Sequence, residues 1–140
     1  MDSKASARWE GGLKDGKGNV STESGVLDAG YSFKQRFEGE PGTNPEELIG
    51  AAHASCFSMA LSMILGEKGY TADAIETSAK VTLSQSDAGF DISNIHLDVV
   101  AEISGADDAA FQEAAETAKA NCPVSKVLNA DISMTAKLKA

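Results

Sequence analysis

Apolar and polar positions alternate in short runs through the first third of the chain. Ala5, Ala7 and Trp9 alternate with polar neighbours until Gly11 and Gly12 break the run, and Gly16 and Gly18 mark a second turn before Val20. Tyr31, Phe33, Gln35 and Phe37 then share one side of a predicted strand, which places Ser32, Lys34 and Arg36 on the other. The pattern changes at Glu40-Pro-Gly-Thr-Asn-Pro-Glu-Glu. Asn44 suits a helix cap, Pro45 the first helical position, and Glu47 stands three residues past the cap, as in a capping box. The helix so announced carries an uncharged run from Leu48 to Leu65 and is expected to stop between Gly66 and Gly69.

Strand periodicity returns at Ile75, Thr77, Ala79, Val81 and Leu83, followed by a turn at Ser86-Asp-Ala-Gly. Phe90 and Ile92 fall on even positions, whereas Ile95, Leu97, Val99, Ala101 and Ile103 fall on odd ones. That change of phase around Ser93 and Asn94 predicts a bulge. Apolar residues at 110, 111, 114, 115 and 118 predict a helix over 107–120. Pro123 opens a short further turn, and Ile132, Met134, Ala136 and Leu138 alternate in a last strand. Strands occur in runs rather than alternating with helices, so the class is α+β with a largely antiparallel sheet. The helix over 45–66 is too apolar for an ordinary solvent face, so either the sheets wrap it or a second subunit does.

Composition adds limits to this pattern. A chain of 140 residues reads as one domain, residues 1–140, large enough for its own core. The net charge of −9 argues against nucleic acid or an anionic membrane as partner. The first ten residues hold no apolar stretch, so no signal peptide is expected and the expected location is cytoplasmic. The uncharged run is at the lower limit for a membrane span, reaching about 27 Å. It contains His53, Gly50 and three serines, and reads as a buried core helix.

The candidate chemistry lies in two cysteines. In a cytoplasmic chain a Cys pair is more often catalytic, redox-sensing or metal-binding than a structural disulfide. Cys56 shares a helix face with His53, three residues before it, and His53 is the one activating group within its own helix. An inert core stripe explains the same spacing. Cys122 precedes Pro123, and as a helix cap its sulfur would face unpaired backbone N–H groups, which favour the thiolate. A capping thiol with no partner fits equally. A metal site would draw on Cys56, His53, Cys122 and a fourth ligand such as His96, but the short paired spacing of structural zinc is missing, and no metal or organic cofactor is expected. His96, between Asn94 and Asp98 on a polar strand face, reads as a surface residue.

The segment Arg36-Phe-Glu-Gly-Glu-Pro-Gly-Thr-Asn-Pro-Glu-Glu-Leu-Ile-Gly-Ala-Ala-His-Ala-Ser-Cys-Phe-Ser-Met-Ala-Leu closely resembles the osmotically inducible protein C (OsmC) family. Asn121-Cys-Pro-Val-Ser matches that family's second cysteine motif, and the likeness runs from Arg8-Trp-Glu-Gly to the last strand. It is closer to the OsmC branch than to the organic hydroperoxide resistance branch. The resemblance implies a homodimer of intertwined subunits, with antiparallel sheets around a long buried central helix and two active sites at the interface. It also implies a thiol peroxidase of oxidative and osmotic stress defence, which takes organic hydroperoxides in preference to hydrogen peroxide and is recycled by a dithiol reductant. Cys56 matches the peroxidatic cysteine, Cys122 the resolving one, Arg36 the activating arginine and Glu46 its glutamate.

Burial of Cys56 alone would raise its pKa, and an arginine beside the sulfur reverses this. One geometric tension follows. Ten residues of straight helix separate Glu46 from Cys56 by about 15 Å and roughly 80° of rotation. If Glu46 serves the sulfur, either the helix begins later or the glutamate serves the partner's site. A redox sensor using the same Cys pair without turnover, and a non-catalytic small-molecule-binding dimer with inert thiols, remain the alternatives of other classes.

Overall fold

Three short antiparallel strands open the chain: β1 (Ala5–Glu10), β2 (Lys17–Thr22) and β3 (Asp28–Tyr31), in the order β1-β2-β3. The computed structural model describes residues 1–139, in two units, Met1–Leu48 and the chain from Ile49 onward. Gly18 is part of β2, where it pairs with Trp9 and Tyr31, and not part of the turn expected there. A Cβ at Gly18 would stand 2.6 Å from Tyr31 Cε1 and 2.8 Å from Trp9 Cε3. The two rings close over a residue with no side chain, their centroids 5.6 Å apart.

The strand expected through Phe37 stops at Tyr31, and Phe33–Phe37 forms a short helix, α1. Ser32 is its extended N-cap residue, at φ −156°. The helical spacing sets the Phe33 and Phe37 rings 4.8 Å apart. Residues four apart share a face in a helix as they do in a strand, so the two aromatic positions left the choice undecided.

The long helix α2 (Pro45–Glu67) starts where its cap predicts: the Glu47 N–H donates to Asn44 Oδ1 at 2.8 Å. It stops at Gly69 in the left-handed region, φ +85°, where the Tyr70 N–H returns to the Leu65 carbonyl at 2.9 Å. In the second unit α2 lies along β4 (Ala72–Ser86). Ser58 Oγ is 2.8 Å from Thr77 Oγ1, and a Cβ on Gly50 would touch Val81 Cγ2 at 3.4 Å. β4 pairs antiparallel with β5 (Gly89–Ile103), one continuous strand. Thr82 pairs with Asn94 and Leu83 with Ile92, leaving Ser93 as the bulge that the phase change predicts.

Next come α3 (Asp108–Asn121), capped by Asp107 Oδ1 on the Ala110 N–H at 2.7 Å, and α4 (Pro123–Val127). The last strand, β6 (Asp131–Leu138), pairs with β5 in parallel, the one departure from antiparallel pairing among the described strands. Alternation carries no information on strand direction. The α3–α4 connection supplies the crossover that a parallel neighbour requires.

The core joins Phe57, Leu61 and Leu65 of α2 to Ile95, Leu97, Val99, Ala101 and Ile103 of β5 and to Phe111, Ala114, Ala115 and Ala118 of α3. Each of the larger side chains contributes about 1.5–3 kcal/mol by leaving water. By length and composition α2 is able to cross a membrane, but its fully buried Phe57, Leu61 and Leu65 mark it as a core helix. Its other side is bare: Ala52, Ser55 and Ser62 are exposed, with Met59 at 76% and Met63 at 61% of full exposure.

Candidate active site

Cys122 ends α3 and caps α4 at once, because an extended conformation is favoured before Pro123 (φ −61°, ψ 141°). The residue is 1% exposed. The Ser125 N–H donates to its sulfur at 3.4 Å, and Ser125 Oγ stands 3.0 Å away. Ser125 Oγ also lies 2.7 Å from Nε2 of His53, a fully buried residue of α2. Cys56 follows His53 by three residues on the same helix and is half-buried.

The two cysteines are free thiols close enough for Cys122 to influence Cys56, which packs against the core that holds Cys122. Burial pushes the Cys56 thiol up, the Val124 backbone N–H pulls it down, and the hydrogen bond to Cys122 and that group's charge push it up again, for a net rise. Burial lowers the pKa of the His53 imidazole. Its Nδ1 has no hydrogen-bond partner among the described residues.

In the first unit, Arg36 of α1 meets Glu46 of α2. Nη2 is 2.7 Å from Oε1, and Nε is 3.2 Å from Oε1 and 3.3 Å from Oε2. Glu46 is buried, at 8% exposure, and two donors of one fork hold its carboxylate. Arg36 also borders a cavity of about 290 Å³ whose other walls are Trp9, Leu13, Tyr31, Ser32 and Phe33.

The four residues marked out by the sequence therefore form two pairs, Cys56 with Cys122 and Arg36 with Glu46. Because α2 begins at Pro45, a later helix start does not explain how Glu46 would serve Cys56. Arg36 stands on a helix, not on the strand face expected for it. His96 pairs with Ser133 and Thr135 of β6, at 2.6 and 3.2 Å, on the polar side of the sheet. Sequence reasoning passed over Ser125, although it stands three residues past a capping cysteine. It also passed over the ring pair above Gly18.

These observations describe an α+β chain built around a partly buried dithiol, with a separately held arginine–glutamate pair. The model of the OsmC-like protein family matches residues 37–137. The chain is 56% identical to peroxiredoxin OsmC of Escherichia coli (strain K12) over 137 residues, 97% of this chain and 96% of that one. The crystal structure of the organic hydroperoxide resistance protein OhrB of Bacillus subtilis superposes with a TM-score of 0.73 at 30% identity, covering 99% of this chain and 98% of that one. An OsmC-like protein from Mycoplasma pneumoniae shares the fold, with a TM-score of 0.78 at 13% identity, covering 100% and 99% of the two chains. The chain belongs to the OsmC-like family.

Proposed function

We propose that the protein is a thiol peroxidase of stress defence that reduces organic hydroperoxides to alcohols. The observation that carries this reading is the nearness of two free thiols, Cys56 packed against the core and Cys122 within it. The Cys56 thiolate attacks the distal peroxide oxygen, the alcohol leaves, and the sulfur becomes a sulfenic acid. Cys122 condenses with that sulfenic acid, water departs and a disulfide forms. An external dithiol then exchanges with the disulfide and restores both thiols.

Burial and Cys122 raise the Cys56 pKa, so the thiolate needs a cation. Arg36 supplies it in this reading: it is permanently charged, its guanidinium is held by Glu46, and its remaining donors stabilise the departing alkoxide. Glu46 and Cys56 lie ten residues apart on one helix, about 15 Å along its axis, so the pair acts on the Cys56 of a second subunit. The homodimer this requires buries the uncharged side of α2 around Met59 and Met63. The cavity beside Arg36, walled by Trp9, Leu13, Tyr31 and Phe33, receives the alkyl or aryl body of the substrate. Each buried methylene contributes about 0.8 kcal/mol, a gain that hydrogen peroxide cannot make. The proposed location is the cytoplasm, where thiols stay reduced.

Consumption of cumene hydroperoxide with excess dithiol tests the reading. Wild-type protein turns over, and Cys56→Ser with an unchanged circular dichroism spectrum does not. Substantial turnover by that variant would remove Cys56 from the chemistry.

A further inference from the structure

We propose that His53 and Ser125 form a buried proton relay that makes Cys122 the attacking thiolate when it resolves the oxidised Cys56. The inference rests on the roles proposed above for the two cysteines.

His53 occupies a core-facing position of α2 at 0% exposure, where an apolar side chain would pack without cost. A buried imidazole needs a hydrogen bond to offset its desolvation. Its partner is Ser125 Oγ, 2.7 Å from Nε2, and that same hydroxyl stands 3.0 Å from Cys122 Sγ. Imidazole, hydroxyl and thiol thus form a chain of two short contacts. Ser125 adds its backbone N–H to the sulfur at 3.4 Å, so the thiolate, once formed, has two donors from one residue.

Cys122 is 1% exposed, so at neutral pH its proton is lost only slowly to the scarce hydroxide that reaches it, and the relay supplies the faster route. With the ring proton on Nδ1, Nε2 offers its lone pair to Ser125. The Cys122 proton passes to Ser125 Oγ as the serine's own proton passes to Nε2. The Cys122 sulfur then attacks the sulfenic sulfur of Cys56: the S–S bond forms and the S–O bond breaks. The Cys122 sulfur is oxidised and the Cys56 sulfur reduced. The departing hydroxide takes back the relayed proton and leaves as water, so imidazole and serine end as they began. The titratable groups facing the relay are Cys122 and, beyond it, Cys56. Burial lowers the His53 pKa and so favours the neutral ring that can accept.

His53 and Ser125 are accordingly positioning and relay residues, and they touch no substrate. The test follows two steps separately after one equivalent of hydroperoxide. Sulfenic acid formation is read by trapping in a Cys122→Ser background, and disulfide formation by rapid quench and mass spectrometry in His53→Gln and Ser125→Ala. The relay predicts a normal first step and a second step slowed roughly 100-fold at neutral pH. The slowed step recovers as pH rises, because hydroxide removes the thiol proton directly, and Ser125→Thr restores it. A displaced Cys122 would stay slow at every pH. Disulfide formation at the wild-type rate in both variants overturns the relay, as does a loss that alkaline pH leaves untouched. If His53→Gln does not fold, Ser125→Ala and Ser125→Thr decide between these outcomes. Absence of trapped sulfenic acid in the Cys122→Ser protein would instead remove the peroxidase reading, and the relay with it.

Discussion

Glu46 takes the Arg36 guanidinium on both carboxylate oxygens, with its closest contact at 2.7 Å from Nη2. The pairing occupies Nε and one terminal nitrogen and leaves the other terminal nitrogen free of this carboxylate. An arginine held in this way presents a fixed cation rather than a mobile one, and two expectations depend on it.

Arg36→Met should raise the Cys56 pKa and lower kcat/KM for cumene hydroperoxide on the order of 100-fold. An ultraviolet thiolate titration of the Arg36→Met, Cys122→Ser protein reads the first quantity. Glu46→Gln should act in the same direction with a smaller effect, because the charge stays while its orientation loosens. Mixed and reassociated Arg36→Met and Cys56→Ser proteins should regain activity, since each hybrid dimer holds one complete site. If the arginine serves its own subunit, the mixture stays inactive.

Stoichiometric hydroperoxide should join Cys56 to Cys122 within one chain, which non-reducing peptide mapping reads directly. The thiols are already neighbours, so the oxidised Cα atoms should settle within about 7 Å. Cys122→Ser should react once and stop, with one oxygen added at Cys56. A linkage found only between chains would contradict the resolving role of Cys122.

Acid should destabilise the fold through His53. Burial holds its folded pKa below the ordinary 6.5, so between the two values the unfolded chain binds more protons. The contribution is present in full above the ordinary value and is lost as pH falls toward the folded one. Urea midpoints of the Cys122→Ser protein should therefore rise with pH up to about the ordinary value of 6.5 and level off above it. Adding His53→Gln should flatten that slope, and an unchanged slope would show that other groups set it.

The long helix, the bulge at Ser93 and the capping of α4 by Cys122 were legible in the sequence because each has a local cause: a cap at Asn44, a change of phase, a proline at 123. The resemblance singled out the four site residues, and their pairing into Cys56–Cys122 and Arg36–Glu46 emerged in the structure. What was not legible depends on distant partners. Gly18 looked like a turn residue because nothing in its neighbourhood in sequence announces that Trp9 and Tyr31 will cover it. The helix at Phe33–Phe37 is too short for its period to separate from that of a strand. Ser125 gained meaning only when His53, 72 residues earlier, arrived beside it. The parallel direction of β6 follows from the α3–α4 crossover, and no alternation pattern records it.

The bare side of α2, with two methionines and no charge, also ties folding to abundance. If a second copy covers it, every folded chain draws part of its free energy from encounter, and dilution becomes a mild denaturant. The melting temperature then climbs with the logarithm of protein concentration. A scarce peroxidase would be a fragile one, and a stress response that raised its level would also toughen each molecule.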